Sequence, residues 1–145
     1  MSEPLLEGCE LCREAGGHAL WRDADWRVVR VADDAFPAFY RVIANRHVAE
    51  FSDLPAAARQ RCIELVAAVE GALRRQLAPT KINLASLGNQ VAHLHWHVVA
   101  RFDWDARFPQ PIWGSALREV QPPPRDRLAV SLAQLDRAVQ EALEG

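Results

Sequence analysis

Three of the chain's five histidines stand at alternate positions of one apolar run, His93-Leu94-His95-Trp96-His97. In an extended strand alternate side chains share a face, so this spacing groups three imidazoles and sends Leu94, Trp96 and Val98 the other way. Two chemistries use such an array. One is a metal tripod, since imidazoles two residues apart on a strand converge on a cation. The other is nucleophilic catalysis, in which one ring attacks while its neighbours orient the substrate and move protons. Spacing alone does not separate them. Just upstream, Gly88-Asn89-Gln90 reads as a turn whose main-chain N–H groups and two amide side chains would hold phosphate oxygens. No carboxylate stands on the strand to complete a tripod, although Asp103 and Asp105 lie just beyond it.

A second group sits near the N-terminus. Cys9-Glu10-Leu11-Cys12 has the spacing of two thiolates on a tetrahedral zinc, and His18, His47 and His93 are available to complete it. No strand-helix-strand unit surrounds the pair, which argues against a thioredoxin-like redox role. Cys62 falls on an apolar helical stripe and reads as a small core residue.

These groups must be held by the elements around them. Trp26 to Val31 and Phe39 to Ala44 are β-rich, while residues 1 to 20 are polar and Gly-containing. Ser52-Asp53-Leu54-Pro55 reads as a Ser or Asp cap followed by Pro in a first helical turn. Cys62, Val66, Val69, Leu73 and Leu77 then form one apolar stripe, and Pro79 ends it. Lys81 to Ser86 is expected as a strand with Ile82, Leu84 and Ser86 on one face, and Val91 to Arg101 as the strongest strand of the chain. Phe102 to Trp113 is aromatic, Pro-containing and irregular, its rings suited either to lining a pocket or to packing. Leu128, Leu132, Leu135, Val139 and Leu143 make a final amphipathic helix. Strands, a helix, more strands and a helix imply an α+β fold, an antiparallel sheet with helices on one side.

Bulk composition narrows the partners. The 145 residues amount to one domain's worth of chain, half of them hydrophobic. A net charge of −2 without any basic run gives no reason to expect nucleic acid. Lys81 is the only lysine, so neither a lysine-based phosphate loop nor a Schiff-base lysine is available elsewhere. The acidic start Met1 to Gly8 lacks the apolar run of a signal peptide, and no window has the length of a membrane span. Three cysteines make no disulfide framework, and a cytoplasmic location is the expectation.

The residues resemble the histidine-triad (HIT) family, whose signature alternates three histidines with apolar residues. His93 through Val99 fits every position of it, and Gly88-Asn89-Gln90-Val91 looks like the family's approach to the triad. The resemblance runs from about Cys9 to Trp113. It implies one HIT-like domain over residues 1–145, with about five antiparallel strands, a central helix and a C-terminal helix over 125–145. It also implies a nucleotidyl hydrolase or transferase acting at the α-phosphate of a dinucleoside polyphosphate or nucleoside phosphoramidate. In that family the middle histidine is the nucleophile, here His95, and His97 faces the phosphate, with Asn83, Gly88, Asn89 and Gln90 binding substrate. No lysine is near, so neutral donors are expected there. Relatives that pair C-x-x-C with two histidines imply zinc on Cys9, Cys12, His47 and His93, the two cysteines lying in a metal-binding N-terminal segment over residues 1–20. His93 then braces the strand rather than shuttling protons. The resemblance further implies a homodimer. Two positions depart from the family pattern: Phe39, where many members carry a fourth histidine, and Gln90, often Ser or Thr.

Overall fold

A computed structural model describes residues 5–145, and residues 1–4, part of the acidic start and of the expected 1–20 and 1–145 spans, lie outside it. Five strands form one sheet: β1 (His18–Arg22), β2 (Trp26–Arg30), β3 (Phe39–Ala44), β4 (Lys81–Ala85) and β5 (His95–Arg101). Their order is β1-β2-β3-β5-β4, and every neighbouring pair is antiparallel. A short α1 (Glu10–Arg13) precedes β1, the long α2 (Ala56–Leu77) joins β3 to β4, and α3 (Leu132–Glu144) closes the chain. The chain therefore has the antiparallel α+β architecture expected of it. Because α2 carries the chain across the sheet, β5 returns between β3 and β4 and is an interior strand.

The two faces of the sheet have different work. Tyr40, Val42, Val98 and Ala100 point to the helical side, where they pack with the α2 stripe and with Leu135, Val139 and Leu143 of α3. Leu65 and Ala72 widen the α2 stripe beyond the five expected positions, all of which are buried. Cys62 is fully buried there, and burial pushes its thiol up to about 12, which fits a core residue and not a ligand. Phe39, Arg41 and Ile43 of β3 and His95, His97 and Val99 of β5 share the opposite face by register. That face is only partly covered, by Leu11 against Val29 and Ile43 and by Phe36 against Phe39 and Val99.

Two carboxylates, half-buried Asp136 and buried Asp105, pin the last helix and the segment after β5. Asp136 of α3 accepts from Tyr40 Oη at 2.7 Å and Arg30 Nε at 2.9 Å, fastening the last helix to the sheet. Asp105 takes a two-pronged bond from Arg101, at 2.8 and 3.0 Å, and also accepts from the N–H groups of Phe102, Arg107 and Phe108. Burial raises its pKa, but these donors outweigh it and hold the carboxyl below the usual carboxylate range. Breaking such a pair from one side typically costs about 3–5 kcal/mol. The 102–113 segment is thus an ordered cover over the sheet end, with Trp104 stacked on Phe102 and under Arg127.

Five local expectations give way to the structure. The C-terminal helix, expected over 125–145 with Leu128 in its stripe, begins only at Leu132, and Pro124–Arg127 forms a separate 3-10 turn before it. The triad strand begins at His95, not Val91, because the main chain before it pairs elsewhere: Leu94 N donates to Val48 O at 2.6 Å, and Leu94 O accepts from Ala44 N. Residues 18 to 22, to which the sequence reading assigns no element, form the edge strand β1, half-exposed and bulged between Ala19 and Trp21. The helix is not capped by Ser52 or Asp53. Asp53 bonds back to Glu50 N in a separate 3-10 turn, and Pro55 is the cap of α2. Leu84 is 44 % exposed, because β4 is the sheet edge while α2 packs on β5 and β3.

Candidate functional site

The open face of β3 and β5 and the loop between β4 and β5 enclose a cavity of about 400 Å³, lined by His95, His97, Arg41 and residues 87–91, with Trp113 at its mouth. Gly88 holds φ +77°, a conformation that suits glycine, and so turns the loop toward the histidines. The Ser86 hydroxyl donates to His95 O at 2.9 Å, continuing the pairing one residue past the end of β4. Asn89 and Gln90 thus come to the same cavity as His95 and His97. Asn83 does not line it: its Oδ1 accepts from Arg101 Nη1 at 2.9 Å, and it faces a neighbouring depression beside β4.

The geometry of the rings assigns their protons. His95 Nδ1 lies 2.6 Å from the His93 carbonyl, which only accepts, so Nδ1 carries the hydrogen and Nε2 the lone pair. Burial lowers the His95 pKa, the bond to His93 works against this, and the Arg41 charge lowers it again. Burial, His95 and Arg41 push His97 down to about 4. The two rings meet edge to face at 5.0 Å, and Phe39 abuts His97 at 5.2 Å. His97 Nδ1 and Arg41 Nε are buried without a hydrogen-bond partner among the described residues.

His93 belongs to another group. Its Nε2 donates to Ala44 O at 2.6 Å, leaving the Nδ1 lone pair directed at Cys9 Sγ (3.3 Å) and Cys12 Sγ (3.5 Å). His47 Nδ1 lies 3.6 Å from Cys12 Sγ. The four ligand atoms of Cys9, Cys12, His47 and His93 all fall within 4.8 Å of one another. Zinc bonds of about 2.3 Å to sulfur and 2.0 Å to nitrogen make tetrahedral S···N edges of roughly 3.5 Å, so the quartet fits that ion. His18 stands apart on β1, 3.7 Å from Asp136. The three triad imidazoles therefore do not converge as a tripod, and Asp105, held by Arg101, gives no carboxylate to one.

Two residues that spacing did not single out help build the site. Arg27, buried in β2, donates to the carbonyls of Leu11, Glu14 and Ala15 and to Asn45 Oδ1, tying the cysteine segment to the sheet. Arg41 places a cation where only neutral donors were expected. Its alternation with Phe39 and Ile43 on the strand preceding the helix was the available clue.

The HIT domain model matches residues 13–104, more than half the chain. The chain belongs to the HIT domain family. Solved HIT structures share its fold: a histidine triad protein from Marinobacter aquaeolei VT8 superposes with a TM-score of 0.71 at 24 % identity, covering 95 % of this chain and 96 % of that one. One from Bradyrhizobium japonicum gives 0.71 at 22 % identity over 89 % and 92 %. A zinc-bound family member from Mycobacterium smegmatis gives 0.61 at 16 % identity over 94 % of each chain. No curated protein gives a significant match. Membership of the HIT family supports a nucleotide-binding function of the hydrolase type. Among the described residues, no helix is long and apolar enough to cross a membrane.

Proposed function

We propose that this HIT domain, spanning the whole chain, is a nucleotidyl hydrolase or transferase that forms a covalent nucleotidyl-His95 intermediate. The observation that carries the reading is the 2.6 Å bond from His95 Nδ1 to the His93 carbonyl, which leaves a neutral Nε2 beside the cavity. That lone pair forms an N–P bond at the α-phosphate while the bond to the leaving group breaks and its electrons depart with that group. Water or another acceptor then attacks phosphorus, loses its proton, and returns the N–P electrons to Nε2. His97, Asn89, Gln90 and the loop N–H groups near Gly88 are suited to stabilise the non-bridging oxygens. Quenching a reaction with adenosine phosphoramidate and measuring intact mass tests this. An adduct of one adenylyl group is expected, and nucleotide binding with neither adduct nor turnover would instead identify a non-catalytic regulator.

The ring environments set a pH expectation. His95 and His97 are held below the ordinary imidazole value of about 6.5. kcat/KM is therefore expected to be flat from pH 8 to about 7 and to fall only below 6.5. A midpoint at or above 6.5 would mean that the cavity does not keep the nucleophile neutral. Stability follows the same sign: a lowered folded pKa gives a contribution complete above 6.5 and lost toward about 4 through His97.

The Cys9, Cys12, His47 and His93 quartet is proposed to bind zinc in a bracing role. Its ligand spacing and the zinc-bound relative from Mycobacterium smegmatis support this. Bound there, zinc supplies a fixed cross-link. His93 holds the acceptor carbonyl against His95 through its own backbone. A homodimer joined along β4 is also proposed, supported by the edge position of that strand and the exposure of Leu84, Leu87 and Trp113. Light scattering is expected to return twice the chain mass, and a monomer at micromolar concentration would overturn it.

A further inference from the structure

Arg41 stands opposite His97 in the β3–β5 register, on the face that carries both cavity histidines. Among the described residues it is the only Lys or Arg lining that cavity. Its partners inside the protein are few. Nη1 donates to Gly16 O at 3.1 Å, the guanidinium lies 5.8 Å from the Phe39 ring centroid, and Nε is buried without a partner among the described residues. No carboxylate pairs with it among the described residues, although Glu10 acts on it at longer range. Contrast Arg101, fully buried, whose charge is met by Asp105; Arg41 is half-buried and has no such partner.

A guanidinium withdrawn from water without an anion is costly unless something else meets its charge. Its five N–H groups form a planar fork that matches phosphate oxygens, and only one is used by the Gly16 carbonyl. The α-phosphate already has its donors in the reading above: His97, the Asn89 and Gln90 amides, and loop N–H groups. No other Lys or Arg lines the cavity among the described residues, so Arg41 brings its wall a fixed positive charge. An anion beyond the attacked phosphate is what that surplus charge and unused fork fit.

We propose that Arg41 is a phosphate-binding residue that makes this site prefer substrates carrying a second phosphoryl group next to the attacked one. The favoured class is the nucleoside di- and polyphosphate conjugates, over phosphoramidates with an uncharged leaving group. This rests on the nucleotidyl reading of the cavity and deepens it.

The test compares wild type, Arg41→Gln and Arg41→Lys in two ways. Calorimetric binding of ADP and AMP reads the second phosphate directly. Wild type is expected to bind ADP about tenfold tighter than AMP or more, the scale of one charge-assisted hydrogen-bond set. Arg41→Gln is expected to bring that ratio close to one, and Arg41→Lys to leave it in between, because the charge stays and the fork is lost. Turnover supplies the other comparison. In Arg41→Gln, kcat/KM for a dinucleoside tetraphosphate should drop about tenfold or more, and that for adenosine phosphoramidate less than about threefold. No ADP preference in wild type, a preference that survives in Arg41→Gln, or equal losses on both substrates overturns the proposal. Should melting show Arg41→Gln to be unfolded, Arg41→Lys decides, and an unchanged ADP/AMP ratio refutes it. An enzyme that turns over neither substrate sinks the catalytic reading, while the binding ratios still decide this one.

Discussion

His95→Ala is expected to lower kcat for adenosine phosphoramidate by about 10⁴-fold or more, with nucleotide affinity changed by less than about threefold. Losses of this size follow removal of a residue on which a covalent pathway depends. His95 is the cavity ring whose proton position is set by a carbonyl, and no other lining residue offers a comparable nucleophile: His97 lacks such a tether, Arg41 is cationic, and no cysteine lines the cavity. Its side chain opens onto the cavity rather than into the helical core, so truncation enlarges a solvent space instead of leaving a sealed void. Melting temperature should therefore move little. Single-turnover kinetics with mass detection checks both halves. Adduct on a residue other than position 95, or turnover within tenfold of wild type in His95→Ala, would refute the assignment.

The amount of this site legible in the sequence depended on how local its information is. The pairing of His95 with His97 is a two-residue relation on one strand, and strand alternation holds for it because β3 and β4 both pair with β5. His93 lies one step further back, where the main chain pairs with residues 44 and 48, so alternation says nothing of its direction. The α2 stripe and the α3 stripe were readable for the same reason as the strand pair: each repeats over several turns. β1 was not, since an edge strand with a bulge and only partial burial has no pattern to repeat. Cys9 and Cys12 declare themselves by spacing, which leaves His18 and His47 both open; the resemblance selects His47, and the fold brings it to the cysteines while His18 lies beside Asp136. Arg27 gave no signal in the sequence, and for Arg41 the only clue was its alternation with Phe39 and Ile43. A charged residue within an apolar strand normally reads as solvent-facing, and only the register across β3 and β5 shows that Arg41 faces His97.

Loss of the metal is expected to be felt in the cavity as well as in the fold. Protein purified without added metal should carry one zinc per chain, and cobalt in its place should show the d–d bands of a tetrahedral thiolate site. Stripping the ion, or Cys12→Ser, should lower the melting temperature by at least about 10 °C, since an ion bound only by the folded state adds about 4 kcal/mol at a thousandfold excess over Kd. kcat should fall about 10–100-fold, the usual effect of loosening a group that orients an active ring. The path is short and made of direct contacts: the His93 ring sits between the cysteine sulfurs and Ala44 O, and the carbonyl of the same residue holds His95 Nδ1. Arg27 makes the two effects separable. Its bonds to Leu11, Glu14 and Ala15 fasten the cysteine segment independently of any ion, so the stripped protein should keep its sheet and its far-ultraviolet spectrum while losing rate. A metal-free protein with full activity and unchanged melting would refute the bracing role, and cobalt spectra lacking thiolate charge transfer would refute the quartet itself.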